Sequence, residues 1–120
     1  MKHAPGFLKL VIAARARVVE TTVARVRSAL RRKHDIKLID VREDREWDEA
    51  HIPGAVHIAR GILERDIEKV IPDKKQEIVL YCAGGFRSVL SADSLRKMGY
   101  RNVSSMRGGW RAWKKSDGAG

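Results

Sequence analysis

Cys82 is the only cysteine in 120 residues, and the segment it opens, Cys82-Ala83-Gly84-Gly85-Phe86-Arg87-Ser88, holds the residue types that build an anion cradle. A glycine pair between a strand and a helix lets the backbone turn so that successive N–H groups face one concavity. The N-terminus of the following helix adds partial positive charge, and Arg87 adds a full one. Together these favour a thiolate over a thiol on Cys82, and the thiolate is the form that attacks. A cysteine after an apolar strand can also be only a small buried hydrophobe. The order cysteine, two glycines, arginine, helix points instead to a reactive sulfur. A single cysteine excludes an intrachain disulfide framework and a cysteine-rich zinc site. It also leaves no resolving thiol, so a group carried by Cys82 must be handed to something outside the chain.

The elements that must hold this loop can be read from the hydrophobic pattern. Glu77–Tyr81 is nearly all apolar, as a strand covered on both faces should be. Further short strands are expected over 37–41, 55–58 and 103–106, with another over 17–20. Ile62, Leu63, Ile67, Val70 and Ile71 recur at helical spacing and are stopped by Pro72. Val89, Ala92, Leu95 and Met98 mark a second helix, which Gly99 is placed to end. The acidic stretch 43–50 reads as a short helix or turn, Pro53-Gly54 as a turn, and Trp110 and Trp113 pin a terminal helix to the body. Strands alternating with helices over connections of this length predict an α/β fold with a mainly parallel sheet of about five strands and helices on both faces. Ligands bind beyond the carboxyl ends of such strands, and Cys82 lies at one of those ends.

Charge divides the chain. Its 25 Lys and Arg against 15 Asp and Glu leave a net +10, with nine basic residues and only Glu20 in residues 1–33 and a near balance after that. The basic segment has little to suggest a transit peptide, since few hydroxyl residues precede Thr21, and Lys9, Arg15 and Arg17 interrupt any secretory apolar run. No stretch approaches the length of a membrane span. A cytoplasmic location is the expectation. Val23, Val26 and Leu30 form a helical stripe behind the caps Thr21 and Thr22, leaving Arg25, Arg31 and Arg32 to solvent. With Phe7 as its one aromatic, the segment lacks the stacking residues of a nucleic-acid site. A solvated helix face is the simpler reading, and Phe7, Leu8, Leu10, Val11 and Ile12 are expected to pack a short helix on the body rather than on a membrane.

Three stretches in register resemble the rhodanese family. The loop from Cys82 to Arg87 is similar to that family's six-residue active-site loop. Leu38-Ile39-Asp40-Val41-Arg42, followed by Glu46-Trp47 and His51-Ile52-Pro53-Gly54-Ala55, is similar to its N-terminal signature, and Gly108-Gly109-Trp110-Arg111-Ala112-Trp113 to its C-terminal one. Ala50 stands where the family usually has glycine. The resemblance implies a three-layer rhodanese-like domain over 17–115; the residues before it, 1–16, read as a packing helix extension and those after it, 116–120, as a flexible tail. It further implies a sulfurtransferase in which Cys82 takes a sulfane sulfur from thiosulfate or a similar small anion, becomes a persulfide and passes the sulfur to cyanide, a thiol or a protein acceptor. Ala83, Gly84, Gly85, Phe86 and Arg87 would bind the donor, with Arg87 on the departing sulfonate oxygens. Asp40 and Arg42 would give structural support, Asp40 accepting backbone hydrogen bonds and Arg42 pairing with Glu46 or Glu49. No cofactor or metal is expected, and His51 and His57 are expected to be structural. Two alternatives remain at this point. A sulfur-relay or docking module for a protein or RNA partner fits the basic N-terminal face. A cysteine phosphatase or arsenate reductase shares the cradle, although such loops have one more residue and phosphate ester cleavage benefits from a general acid.

Overall fold

Residues 78–82 alternate between two cores, which is why the run can be apolar throughout. Ile78, Leu80 and Cys82 belong to one buried cluster, Val79 and Tyr81 to the other. The computed structural model describes residues 3–118. Its five strands, β1 (Val19–Thr21), β2 (Ile36–Asp40), β3 (Val56–His57), β4 (Glu77–Tyr81) and β5 (Val103–Met106), form one sheet in the order β1-β5-β4-β2-β3. Every adjacent pair is parallel. The central strand is therefore β4, flanked by β2 and β5, and its carboxyl end delivers Cys82 to the middle of one sheet edge.

Among the described residues six α-helices accompany the sheet: α1 (Pro5–Arg15), α2 (Val23–Arg31), α3 (Asp44–Glu49), α4 (Leu63–Val70), α5 (Arg87–Lys97) and α6 (Gly109–Gly118). Leu63 and Ile67 of α4 and Ala92 and Leu95 of α5 pack with Ile39, Ile78 and Leu80 on one face of the sheet. Val23 and Val26 of α2 and Trp113 of α6 pack with Leu38, Val79, Tyr81 and Met106 on the other. The molecule is thus an α/β three-layer fold with helices on both faces of a parallel sheet. Helix α1 lies outside the three layers, its Val11 and Ala14 against Val89 of α5. No helix among the described residues is long and apolar enough to cross a membrane.

Several local expectations are refined. Thr22 caps α2, its Oγ1 accepting the Arg25 N–H at 3.2 Å. Arg25, Arg31 and Arg32 are exposed, but Arg27 is not part of a free basic face: its guanidinium sits 3.7 Å over the Trp113 ring and donates to the Trp113 carbonyl. The first strand is Val19–Thr21 rather than 17–20, because Arg17 is drawn away to Asp93 of α5, at 2.8 and 3.1 Å. The tail expected over 116–120 is corrected in part, since α6 runs to Gly118 and Ser116 and Asp117 both accept hydrogen bonds from Arg27. Ala119 and Gly120 lie outside the described residues. The apolar stripes are also narrower than their spacing suggests: Leu30, Ile62 and Val70 are exposed where the helix ends turn out of the core.

Candidate active site

Cys82 leaves β4 fully inside the protein, 1% exposed, and the chain then reverses through four residues into α5. Gly85 makes the reversal, at φ +95°, a left-handed conformation that costs glycine least. A Cβ there would also stand 2.9 Å from the Gly108 backbone nitrogen. The turn aims two backbone donors at the sulfur, with Gly85 N–H donating to Cys82 Sγ at 3.1 Å and Ser88 N–H at 3.4 Å. Ser88 Oγ lies 3.5 Å from the same sulfur and 2.8 Å from Ser105 Oγ of β5, and both serines are fully buried. This hydroxyl pair was not singled out from the sequence. The signal available was a hydroxyl residue at an inward position of α5 and another at an inward position of β5.

The floor beneath the loop is the first turn of α6. Trp110 N–H donates to the Cys82 carbonyl at 2.8 Å and Arg111 N–H to the Ala83 carbonyl at 3.1 Å, so helix donors that lack an intrahelical partner satisfy the loop carbonyls. Gly109 is required for this approach, because a Cβ there would fall 2.2 Å from the Cys82 carbonyl oxygen.

Cys82 opens into a pocket of about 450 Å³, lined in the loop by Cys82, Ala83, Gly84, Phe86 and Arg87. Gly85, grouped with the binding residues in the sequence reading, lies buried beneath and acts on Sγ through its N–H. Arg87 is at the pocket but its guanidinium is closed on a carboxylate, donating to Glu46 Oε1 at 2.8 Å and Oε2 at 3.0 Å. The hydrogen bonds from Arg87 hold the Glu46 carboxyl down from its ordinary 4.5 to about 2, against the opposing effect of burial. Glu46 also accepts the Glu43 N–H in a capping box that starts α3. The expected pairing of Arg42 with Glu46 or Glu49 is therefore corrected. Arg42 folds back on Asp40, Nη2 to Oδ2 at 2.8 Å, and both side chains are buried. Asp40 Oδ1 also accepts the Arg42 N–H at 2.9 Å, and Arg42 Nη2 donates to the Ala50 carbonyl at 2.7 Å. The pair thus ties the end of β2 to the turn after α3, which carries Glu46.

The rest of the pocket comes from segments with no motif. Arg45, Arg60 and Arg111 line it, and His3 and Phe7 come from the N-terminal segment to meet Phe86. Phe86 packs edge-on to both, with ring centroids 4.6 Å from His3 and 6.5 Å from Phe7. His51 and His57 both stack on Trp47, and His57 Nε2 donates to the Arg42 carbonyl at 2.8 Å. Among the described residues no cluster of His, Cys, Asp and Glu could hold a metal ion.

A buried cysteine under a short loop at the central carboxyl edge, in a parallel sheet layered by helices on both faces, defines a class of domain that comparison with known proteins identifies. The family model for the rhodanese-like domain matches residues 22–116, and the chain belongs to that family. It is similar to the thiosulfate sulfurtransferase GlpE of Coxiella burnetii, at 35% identity over 69% of this chain and 76% of GlpE. It is also similar to YrkF of Bacillus subtilis, a candidate sulfur carrier protein, at 36% identity over 65% of this chain but only 41% of YrkF. Among solved structures, a protein of unknown function from Rhodopseudomonas palustris, described as a possible tyrosine phosphatase, superposes with a TM-score of 0.87 at 27% identity, over 98% of this chain and 95% of its own. The rhodanese-like domain of an Anabaena protein superposes with a TM-score of 0.74 at 26% identity, over 81% and 74% of the two chains.

Proposed function

We propose that the chain is a sulfurtransferase that carries sulfane sulfur as a persulfide on Cys82, taking it from thiosulfate or a similar anion and passing it to cyanide, a thiol or a protein acceptor. The observation that carries this reading is the Cys82 sulfur at the floor of an open pocket, with the Gly85 and Ser88 N–H groups aimed at it. In the first half-reaction the Cys82 thiolate attacks the outer sulfur of thiosulfate, the S–S bond breaks, and its electron pair leaves on sulfite. In the second, the acceptor attacks the outer sulfur of the persulfide, and the pair returns to Cys82. Charge stays negative on sulfur throughout, and fixed backbone N–H groups serve such an anion without rearranging. Glu46 takes one N–H from each terminal nitrogen of Arg87, which fixes the loop against α3 and leaves less of the guanidinium for the sulfonate.

The phosphatase suggested for the R. palustris protein would need a proton donor for the leaving oxygen. The pocket carboxylates are Glu43 and Glu46. Glu46 is ionised at neutral pH and Glu43 is engaged at the start of α3, whereas sulfite leaves without protonation. A mass spectrum of the full chain after thiosulfate treatment tests the proposal, with one added sulfur expected on Cys82, none in Cys82→Ser, and thiocyanate formed on addition of cyanide. A wild-type chain that gains no sulfur, or a Cys82→Ser variant that still forms thiocyanate, overturns it.

A further inference from the structure

The commitment of Arg87 to Glu46 leaves the anion-binding role at the pocket open, and the cations around it are not equivalent. Arg42 is buried on Asp40 and Arg87 is clamped by Glu46. Arg45 and Arg60 are exposed lining residues, carried by α3 and by the turn Arg60–Ile62, and among the described residues no contact ties either to the loop. Arg111 is different. Its Nη1 lies 3.3 Å from the position a Gly84 Cβ would take, which puts the guanidinium against the loop itself, two residues from the cysteine. Gly84 is the loop residue whose missing side chain makes that approach easy. Among the described residues Arg111 meets no carboxylate at ion-pair distance, in contrast to Arg42 and Arg87.

Arg111 also stands where a helix least welcomes a cation. It is the third residue of α6, and the first turn of that helix contains no acidic residue. A positive charge there opposes the helix dipole and gains nothing from it. The Arg111 N–H is fixed on the Ala83 carbonyl, so the root of the side chain is held in register with the loop while its charged end is left free beside the pocket. An anion lying between this guanidinium and the Cys82 sulfur would relieve the unfavourable position and be oriented by a planar fork suited to carboxylate or sulfonate oxygens.

We infer that Arg111 is the residue that binds the anionic end of the small molecule reacting at Cys82, a sulfonate or carboxylate group whose attached electrophilic atom then faces the sulfur. This rests on the sulfur-transfer reading for the identity of the substrate, but the anion site itself can be tested without it. Iodoacetate and iodoacetamide both react with a thiolate by displacement of iodide from carbon, and they differ in one carboxylate. The ratio of their rate constants at Cys82, divided by the same ratio for 2-mercaptoethanol, therefore reads the pull of the pocket on an anion. For the wild-type chain that quotient is expected to be about tenfold, falling close to one in Arg111→Met and to an intermediate value in Arg111→Lys, which keeps charge but not the fork. In parallel, Arg111→Met should raise the thiosulfate concentration for half-maximal sulfur loading by about tenfold. Arg111 is exposed, and circular dichroism of the variants checks that the fold is retained. An Arg111→Met chain with the wild-type quotient overturns the inference, as do equal losses in Arg45→Met and Arg60→Met, which would mark a diffuse field. A wild-type chain that prefers iodoacetate through Arg111 yet never gains sulfur from thiosulfate upholds the anion site and removes only the sulfur-transfer reading.

Discussion

Glu46 is a hinge of the site, because one carboxylate closes α3 on itself through the Glu43 N–H and holds the arginine that begins α5. A carboxyl whose native pKa lies at about 2 instead of its ordinary 4.5 contributes stability that is present above the unfolded value and lost as pH falls toward the folded one. With the side chain one-quarter exposed and the pair partly screened, the contribution is on the order of 2 kcal/mol. Glu46→Gln should therefore be less stable than wild type in urea at pH 7. The difference should shrink between pH 5 and about pH 2, and a difference independent of pH would show that the pair is not the source. Sequence reasoning reached Arg87 and Glu46 separately and did not join them, since they are distant in the chain and no local spacing relates them. It matched Arg42 to the nearest acidic helix instead. Asp40 took that place because residues two apart at a strand end emerge on the same side, and a buried arginine selects the carboxylate already inside.

At the scale of elements, the loop and α6 behave as one unit. The Cys82 and Ala83 carbonyls are the acceptors for the first N–H groups of the helix, and Gly109 allows backbone to meet backbone. Gly109→Ala combines a left-handed backbone at φ +53° with a Cβ that has no room. It should cost about 3 kcal/mol in chemical denaturation and slow alkylation of Cys82, because the helix must withdraw from the loop. Unchanged stability would mean that the contact is dispensable. Strands and helices of the body were legible because their periodicity is set by the two cores: β4 alternates between them, and α5 closes at Lys97 with Gly99, just past its cap Met98, at φ +100°. What the pattern could not supply was each helix end. Val70 and Ile62 keep the spacing of a buried stripe but sit where α4 leaves the sheet, and Ser116 and Asp117 look like tail residues until Arg27 reaches them.

For the molecule as a whole, the net +10 is not one basic surface. Arg27 is folded onto Trp113, and Arg17, Arg96 and Lys97 gather around Asp93, whose carboxyl is held well below the usual range by hydrogen bonds led by Arg17. That cluster fastens the end of α1 to α5 and brings Phe7 to the pocket wall. The family match begins at residue 22, so this wall is contributed by a segment outside it. No motif marks the segment, which is why its place beside the cysteine was not legible. The depth of Cys82 has a consequence for the oxidised protein. A disulfide between two copies needs their cysteine Cα atoms within about 7 Å, and two folded chains whose sulfurs lie 1% exposed on pocket floors collide first. Under an oxidant, non-reducing electrophoresis should show a single-chain band for the native protein and a covalent dimer only when urea is present during oxidation. A native dimer would mean that the loop opens far enough to turn the sulfur outward. The chain thus keeps its one thiol available to slender small molecules while refusing it to its own copies.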